Sequence, residues 1–197
     1  AKQVEQKQEE GHVLKIPHSA QNQPEPAQRR HFDPLIDLKD LVESGFTFYD
    51  RVGKGSLGYV YQARSKNIEA LLAVKIFHRK IFENKRTLKR LEQEAMRARE
   101  LSHANLAAVY HFGISAKNYP YLVMDFLAGP SLAELLKQEG FLDVPRVIDI
   151  FIQVAEALHY AHEEKMLHRD LKPSNIYLLK ATGGKDFVKV SDLGLAK

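Results

Sequence analysis

His168-Arg169-Asp170-Leu171-Lys172-Pro173-Ser174-Asn175 is the stretch that organises this chain. It follows an apolar run of helical character and precedes a short apolar strand, Ile176 to Leu179. A carboxylate, an ammonium and a carboxamide therefore stand at fixed offsets on one loop. Such groups suit phosphoryl transfer: Asp170 can accept a hydroxyl proton, Lys172 can neutralise phosphate charge, and Asn175 can ligate a cation. A polar turn between two elements would explain any one of these residues. It does not explain the string, because six specified letters in one window arise by chance at roughly one in tens of millions of positions.

Upstream, Asp143 starts a helix that tolerates Pro145 in its first turn and runs to about His162. Val147, Ile148, Ile150, Phe151, Ile152, Val154, Ala155, Leu158 and Ala161 cover most of its circumference, which predicts burial on several sides. His159 and His162 read as core or surface histidines rather than ligands. Ser131 with Glu134 three residues on forms a capping box for a shorter helix, and Ala128-Gly129-Pro130 breaks the chain before it. Downstream, Ile176 to Leu179 and Phe187 to Val190 form a hairpin across Gly183-Gly184, followed by Ser191-Asp192-Leu193-Gly194.

The N-terminal half has a different rhythm. From Phe46 the pattern has period two, through Val52 into Gly53-Lys54-Gly55-Ser56-Leu57-Gly58, and Tyr59-Val60-Tyr61 resumes it. A dinucleotide fingerprint needs a helix directly after the glycines, and a P-loop needs a different glycine spacing before its lysine. What remains is a glycine-rich hairpin whose backbone N–H groups can approach phosphate oxygens, or a plain turn. Ala70 to Phe77 is a third strand with Lys75 near its middle, and a lysine there, taken alone, snorkels to the surface. Lys85 to Leu101 has helical spacing, and a helix beside that strand can bring a glutamate to Lys75. Glu94 lies next to the apolar stripe, so it is the expected partner. Leu106 to Phe112 and Tyr121 to Phe126 read as two more strands.

The 197 residues suit one medium domain, or one and a half small ones, and the net charge of +4 is modest. Basic residues cluster between His78 and Arg90 without interleaved aromatics beyond Phe82, so a solvated helix face is expected there and nucleic acid is not. The absence of cysteine excludes disulfides, thiolate metal sites and a cysteine nucleophile, and fits a cytoplasmic location. No run reaches the length of a membrane span. Residues 1–33 are rich in Gln, Glu, Lys and Pro and read as disordered or weakly ordered, with 34–45 a short helix and linker.

With these motifs in order, the chain resembles a eukaryotic-type (Hanks-type) serine/threonine protein kinase, closest in wording to bacterial members. The match runs from about Phe46 to Lys197. The resemblance implies an α+β kinase-like fold: an N-lobe at 46–128 with a five-stranded antiparallel sheet and one main helix, then a partial, mainly helical C-lobe at 129–197. It implies Asp170 as catalytic base, Lys172 on the γ-phosphate, Lys75 paired with Glu94, and Asn175 and Asp192 as Mg²⁺ ligands. Mn²⁺ is an alternative metal. It implies an ATP site made by Val52, Gly53, Gly55, Ser56, Gly58, Val60, Ala73, Lys75, Met124, Asp125, Leu127 and Tyr177. Met124 would be the gatekeeper, and the backbones of Asp125 and Leu127 would meet adenine. Arg169 beside Asp170 implies activation by phosphorylation of a downstream segment.

Leu57 and Leu193 stand where the family commonly has aromatic residues, and Ala104 where it has proline. The activation segment and the helices after it are missing from this sequence, so the expectation is a fragment with little activity alone, leaving the apolar underside of the Val144–His162 helix exposed. The partners implied are ATP and a protein with a Ser or Thr acceptor. Two other readings remain: a non-catalytic nucleotide-binding regulatory module, and a small-molecule phosphotransferase of related fold, which generally lacks the Arg169 and Lys172-Pro173 wording.

Overall fold

The computed structural model describes residues 41–42, 45–55, 57–66, 68–78, 83–180 and 183–194. The segment 1–33 and most of the short helix expected before Gly45 lie outside the described residues; Leu41 and Val42 are helical. The period-two pattern from Phe46 forms three strands: β1 (Phe46–Gly55), β2 (Gly58–Ser65) and β3 (Ile68–Phe77). With β4 (Val109–Ile114) and β5 (Pro120–Asp125) they make a five-stranded antiparallel sheet of order β1-β2-β3-β5-β4. Gly58 is required where β2 meets β3, because a Cβ there would lie 2.0 Å from the Ile76 carbonyl oxygen.

Central strands carry apolar residues on both faces, so both faces need cover. Tyr61, Leu72, Val74 and Ile76 pack with Leu41, Phe48 and Val123. Helix α1 (Lys85–Glu100) covers the other face, setting Leu91 and Ala95 against Ala73, Phe77, Leu122 and Met124. Complete burial of a side chain such as Leu72 contributes about 2 kcal/mol relative to exposure. The Asn84 side chain caps α1 by accepting from the Arg86 N–H.

Beyond the sheet come α2 (Leu132–Glu139), α3 (Val144–Glu163), a 3-10 turn (Pro173–Asn175) and the hairpin β6 (Ile176–Lys180) and β7 (Asp186–Val190). The capping box at Ser131 and Glu134 is present in full. Only one face of α3 is buried: Ile150, Val154, Ala157 and Ala161 pack in one cluster with Ile176, Leu178, Val188 and Val190. The expectation of burial on several sides is not met among the described residues. Val144, Ile148, Phe151 and Ile152 remain exposed, as expected for the underside of this helix.

Two linking segments are anchored to the β6–β7 hairpin. Leu106, expected to open β4, instead forms an isolated bridge with Val190. Around it, the Ala107 N–H donates to Val190 O at 2.9 Å and the Val190 N–H donates to Asn105 O at 2.8 Å. In the second segment the Leu178 N–H donates to Pro130 O at 2.9 Å. The approach is close enough that a Cβ on Gly129 would lie 2.3 Å from Leu178 O. Among the described residues no helix is long and apolar enough to cross a membrane.

Candidate active site

The loop after α3 owes its shape to His168. Its buried ring reaches the Ser191 carbonyl through Nε2 at 3.0 Å, while Nδ1 accepts from the Asp170 N–H at 3.3 Å. Those partners place the proton on Nε2. Burial pushes the imidazole below its ordinary pKa, so it stays neutral. One ring thus ties the loop carrying Asp170 to the segment carrying Asp192. Neither half is relaxed: Arg169 (φ 64°) and Asp192 (φ 60°) both occupy the left-handed region without being glycine. Such conformations cost on the order of 1–3 kcal/mol each and persist where the surroundings hold them.

Asp170 Oδ2 accepts from Lys172 Nζ at 2.6 Å. That hydrogen bond is the main reason its carboxyl lies below the ordinary range, so it is ionised at neutral pH. Asn175 is buried, and its Nδ2 donates to Asp170 O at 2.8 Å. With its amide nitrogen engaged there, its Oδ1 is left as an acceptor. Lys75, buried on β3, donates to Asp192 Oδ1 at 2.8 Å.

Glu94 corrects one expectation. It does not pair with Lys75. Its Oε1 accepts from Arg90 Nε at 3.2 Å and from the Arg169 guanidinium. The physical reason is reach: Arg90 stands one turn earlier on α1, Arg169 projects a forked donor from the loop, and Lys75 has a carboxylate in Asp192.

Two adjoining cavities run along the seam between the sheet and the helical half. One, about 220 Å³, is lined by Gly53, Gly55, Gly58, Val60 and Lys75 above and Asp170, Lys172, Asn175 and Asp192 below. The other, about 320 Å³, is lined by Val52, Gly53, Val60, Ala73, Met124, Asp125, Leu127 and Tyr177. They share Gly53, Val60 and Asp192. Every expected nucleotide-site residue except Ser56, which lies outside the described residues, borders one or the other; Glu94 borders neither. Lys54, Ala107, Phe126, Glu134, Ser174 and Ser191 also line them and were not anticipated. Lys54 and Ser174 lie inside the glycine hairpin and the Asp170–Asn175 loop, and Ser191 directly precedes Asp192. A larger cavity, about 610 Å³, lies elsewhere, against α3 and the β6–β7 hairpin. There Arg146 is already bonded to Asp186 and Glu139.

A divalent cation fits this donor set. Asp192 and the Asn175 side-chain oxygen could serve as hard oxygen donors on one wall, and among the described residues no three His, Cys, Asp or Glu side chains cluster as a protein-only cage. Mg²⁺ is characteristically held by one or two protein groups plus substrate phosphates. The arrangement therefore brings an ionised carboxylate, the Lys75 and Lys172 ammonium groups and further oxygen donors around one space, with a second cavity beside it.

A family profile described as "Protein kinase domain" matches residues 46–197. The chain is 36% identical over 146 residues to serine/threonine-protein kinase pkn3 of Myxococcus xanthus, covering 74% of this chain and 27% of that protein. It is 32% identical over 163 residues to PknB of Mycobacterium leprae, covering 81% and 25%. It spans about a quarter of the length of the curated relatives it matches. Among solved structures, the PknI kinase domain of Mycobacterium tuberculosis superposes with a TM-score of 0.69 at 26% identity, covering 78% of this chain and 61% of that one. With this fold, these cavities and these relatives together, the chain belongs to the protein kinase family, among the bacterial-type serine/threonine kinases.

Proposed function

We propose that this chain carries the nucleotide-binding and catalytic elements of an ATP- and Mg²⁺-dependent kinase that phosphorylates serine or threonine hydroxyls of proteins. The supporting observation is a single cavity bordered by the glycine hairpin, Lys75, the Asp170–Asn175 loop and Asp192, which come from four separate parts of the chain. In this reading the lobes divide at 128 and 129. The absence of cysteine fits a cytoplasmic setting for this reaction.

Bound Mg²⁺–ATP would supply the phosphoryl group and disperse its negative charge. The chain's own residues position and polarise. The hairpin glycines 53, 55 and 58 offer backbone N–H groups to phosphate oxygens, and Lys75 brings a buried ammonium to the same space. Asp192 and Asn175 would hold the metal, for which Mn²⁺ could substitute. Asp170, ionised by its contact with Lys172, accepts the proton of the acceptor hydroxyl. Lys172 then serves the transferred phosphate. The slot beside Met124, bordered by Asp125 and Leu127, would receive the adenine edge.

One observation favours a second reading, a nucleotide-binding module without catalysis: Glu94 is engaged by Arg169 and not by Lys75. A single experiment separates the two. Asp170→Asn in the full-length protein should lower phosphate transfer to a serine-containing protein by about 10²–10⁴-fold while leaving Mg²⁺–ATP affinity within about twofold. Transfer at the wild-type rate would remove Asp170 from the mechanism. ATP binding by a wild-type protein that transfers nothing would establish the non-catalytic reading.

A further inference from the structure

Asp125 closes β5 where the chain leaves the sheet, and its carboxylate is held by elements from both halves of the molecule. Oδ2 accepts from the Ala108 N–H at 3.1 Å and stands 3.5 Å from Lys189 Nζ. Oδ1 accepts from the Tyr110 hydroxyl on β4. The Asp125 N–H in turn donates to Ala108 O at 2.9 Å. Lys189 lies on β7, three residues before Asp192, and its Nζ also donates to Leu106 O at 2.8 Å. The Lys189 and Asp125 side chains are only 12% and 20% exposed. Burial, together with the charge of Asp125, raises the Tyr110 hydroxyl far above its ordinary pKa, so it remains a donor throughout the physiological range.

A part-buried ion pair is a costly way merely to fill space, since apolar side chains of similar volume often serve stability as well or better. What a charged network supplies is a defined geometry. This one joins the segment 106–108, β4, β5 and β7, and the two ends it connects both border the nucleotide cavity: Asp125 on the slot side, and Asp192 through β7. We infer that Tyr110, Asp125 and Lys189 form a clamp that sets the position of the β5 exit relative to Asp192, making Lys189 and Tyr110 positioning residues for the nucleotide. This rests on the proposed ATP site. Neither Lys189 nor Tyr110 lines either cavity of the cleft, so both act through Asp125 and β7.

The test compares wild type, Lys189→Met, Lys189→Arg and Tyr110→Phe in the full-length protein. Mg²⁺–ATP affinity is measured by calorimetry, and KM for ATP and kcat by steady-state kinetics. Lys189→Met should raise both Kd and KM for ATP about three- to tenfold with kcat within about twofold, as expected when a charge-assisted contact that positions a binding surface is lost. Lys189→Arg, which keeps the charge, should recover most of that affinity. Tyr110→Phe removes a single hydroxyl and should raise KM about two- to threefold; it decides the matter if Lys189→Met does not fold. A lower Tm with Kd and KM unmoved would reduce the network to a structural role and overturn the inference. Failure of the wild type to bind ATP would overturn the functional reading itself, and the clamp with it.

Discussion

Arg169 donates to the Glu94 carboxylate, and so ties the loop before β6 to helix α1 across 75 positions of sequence. Lys75 meanwhile donates to Asp192 at 2.8 Å. The family resemblance assigns Glu94 to Lys75, and Glu94 Oε1 is the atom that both Arg90 and Arg169 occupy. The assigned Lys75–Glu94 pair would require a different arrangement of these side chains from the one observed.

Glu94→Gln should therefore lower kcat about tenfold or more, because the neutral amide cannot fix the Lys75 ammonium as a carboxylate does. Stability should fall by only about 1 kcal/mol or less, since the Arg169 side chain is 39% exposed and such pairs are weak. Steady-state kinetics and a thermal melt on the full-length protein check both halves. An unchanged kcat would limit Glu94 to its contacts with Arg90 and Arg169.

The pH profile follows from Asp170. Its folded pKa is depressed below the ordinary 3.8, first by the Lys172 hydrogen bond, so the carboxylate is ionised at every pH well above 4. The kcat profile should show no acidic limb from Asp170 between pH 5 and 8. Lys172→Met should let the Asp170 pKa rise, moving the acidic limb of kcat toward higher pH. A limb near pH 6 in the wild type would contradict the assignment of Asp170 as an always-ionised base. Burial pushes the His168 imidazole below its ordinary value, toward the neutral form.

Stability at acid pH should report the Arg146–Asp186 pair. Arg146 Nε donates to Asp186 Oδ2 at 2.6 Å, which holds the Asp186 carboxyl below its ordinary value of 3.8. A depressed folded pKa contributes stability that is present above the unfolded pKa and lost as pH falls through the folded one. Arg146→Met should accordingly cost about 1–2 kcal/mol at pH 7, allowing for the part-exposed guanidinium, and progressively less below about pH 4. Urea melts at pH 7 and pH 3 would show the difference. A gap that persisted unchanged at pH 3 would refute the charge origin of the effect.

Much of the fold was legible because it is local. The period-two runs around the glycine turn, the Ser131–Glu134 capping box and the Gly183-Gly184 turn are each decided within a few residues. Errors arose where a neighbour distant in sequence intervened. Leu106 has the apolar character of a strand residue, but β7 captures it in a bridge with Val190. Helix α3 is apolar nearly all round, yet among the described residues what packs on it covers one face only.

From the sequence alone came the identities and order of the chemical groups: the glycine hairpin, Lys75, the Asp170–Asn175 loop and Asp192, since spacing within a motif is set by covalent geometry. Only the tertiary structure decided which charge meets which. Lys75 chose Asp192 across 117 positions, Arg169 took Glu94, and Asp125 drew Tyr110 and Lys189 together. Charge pairing depends on distance and burial, and both come from how the sheet and helices pack, not from the order of residues along the chain.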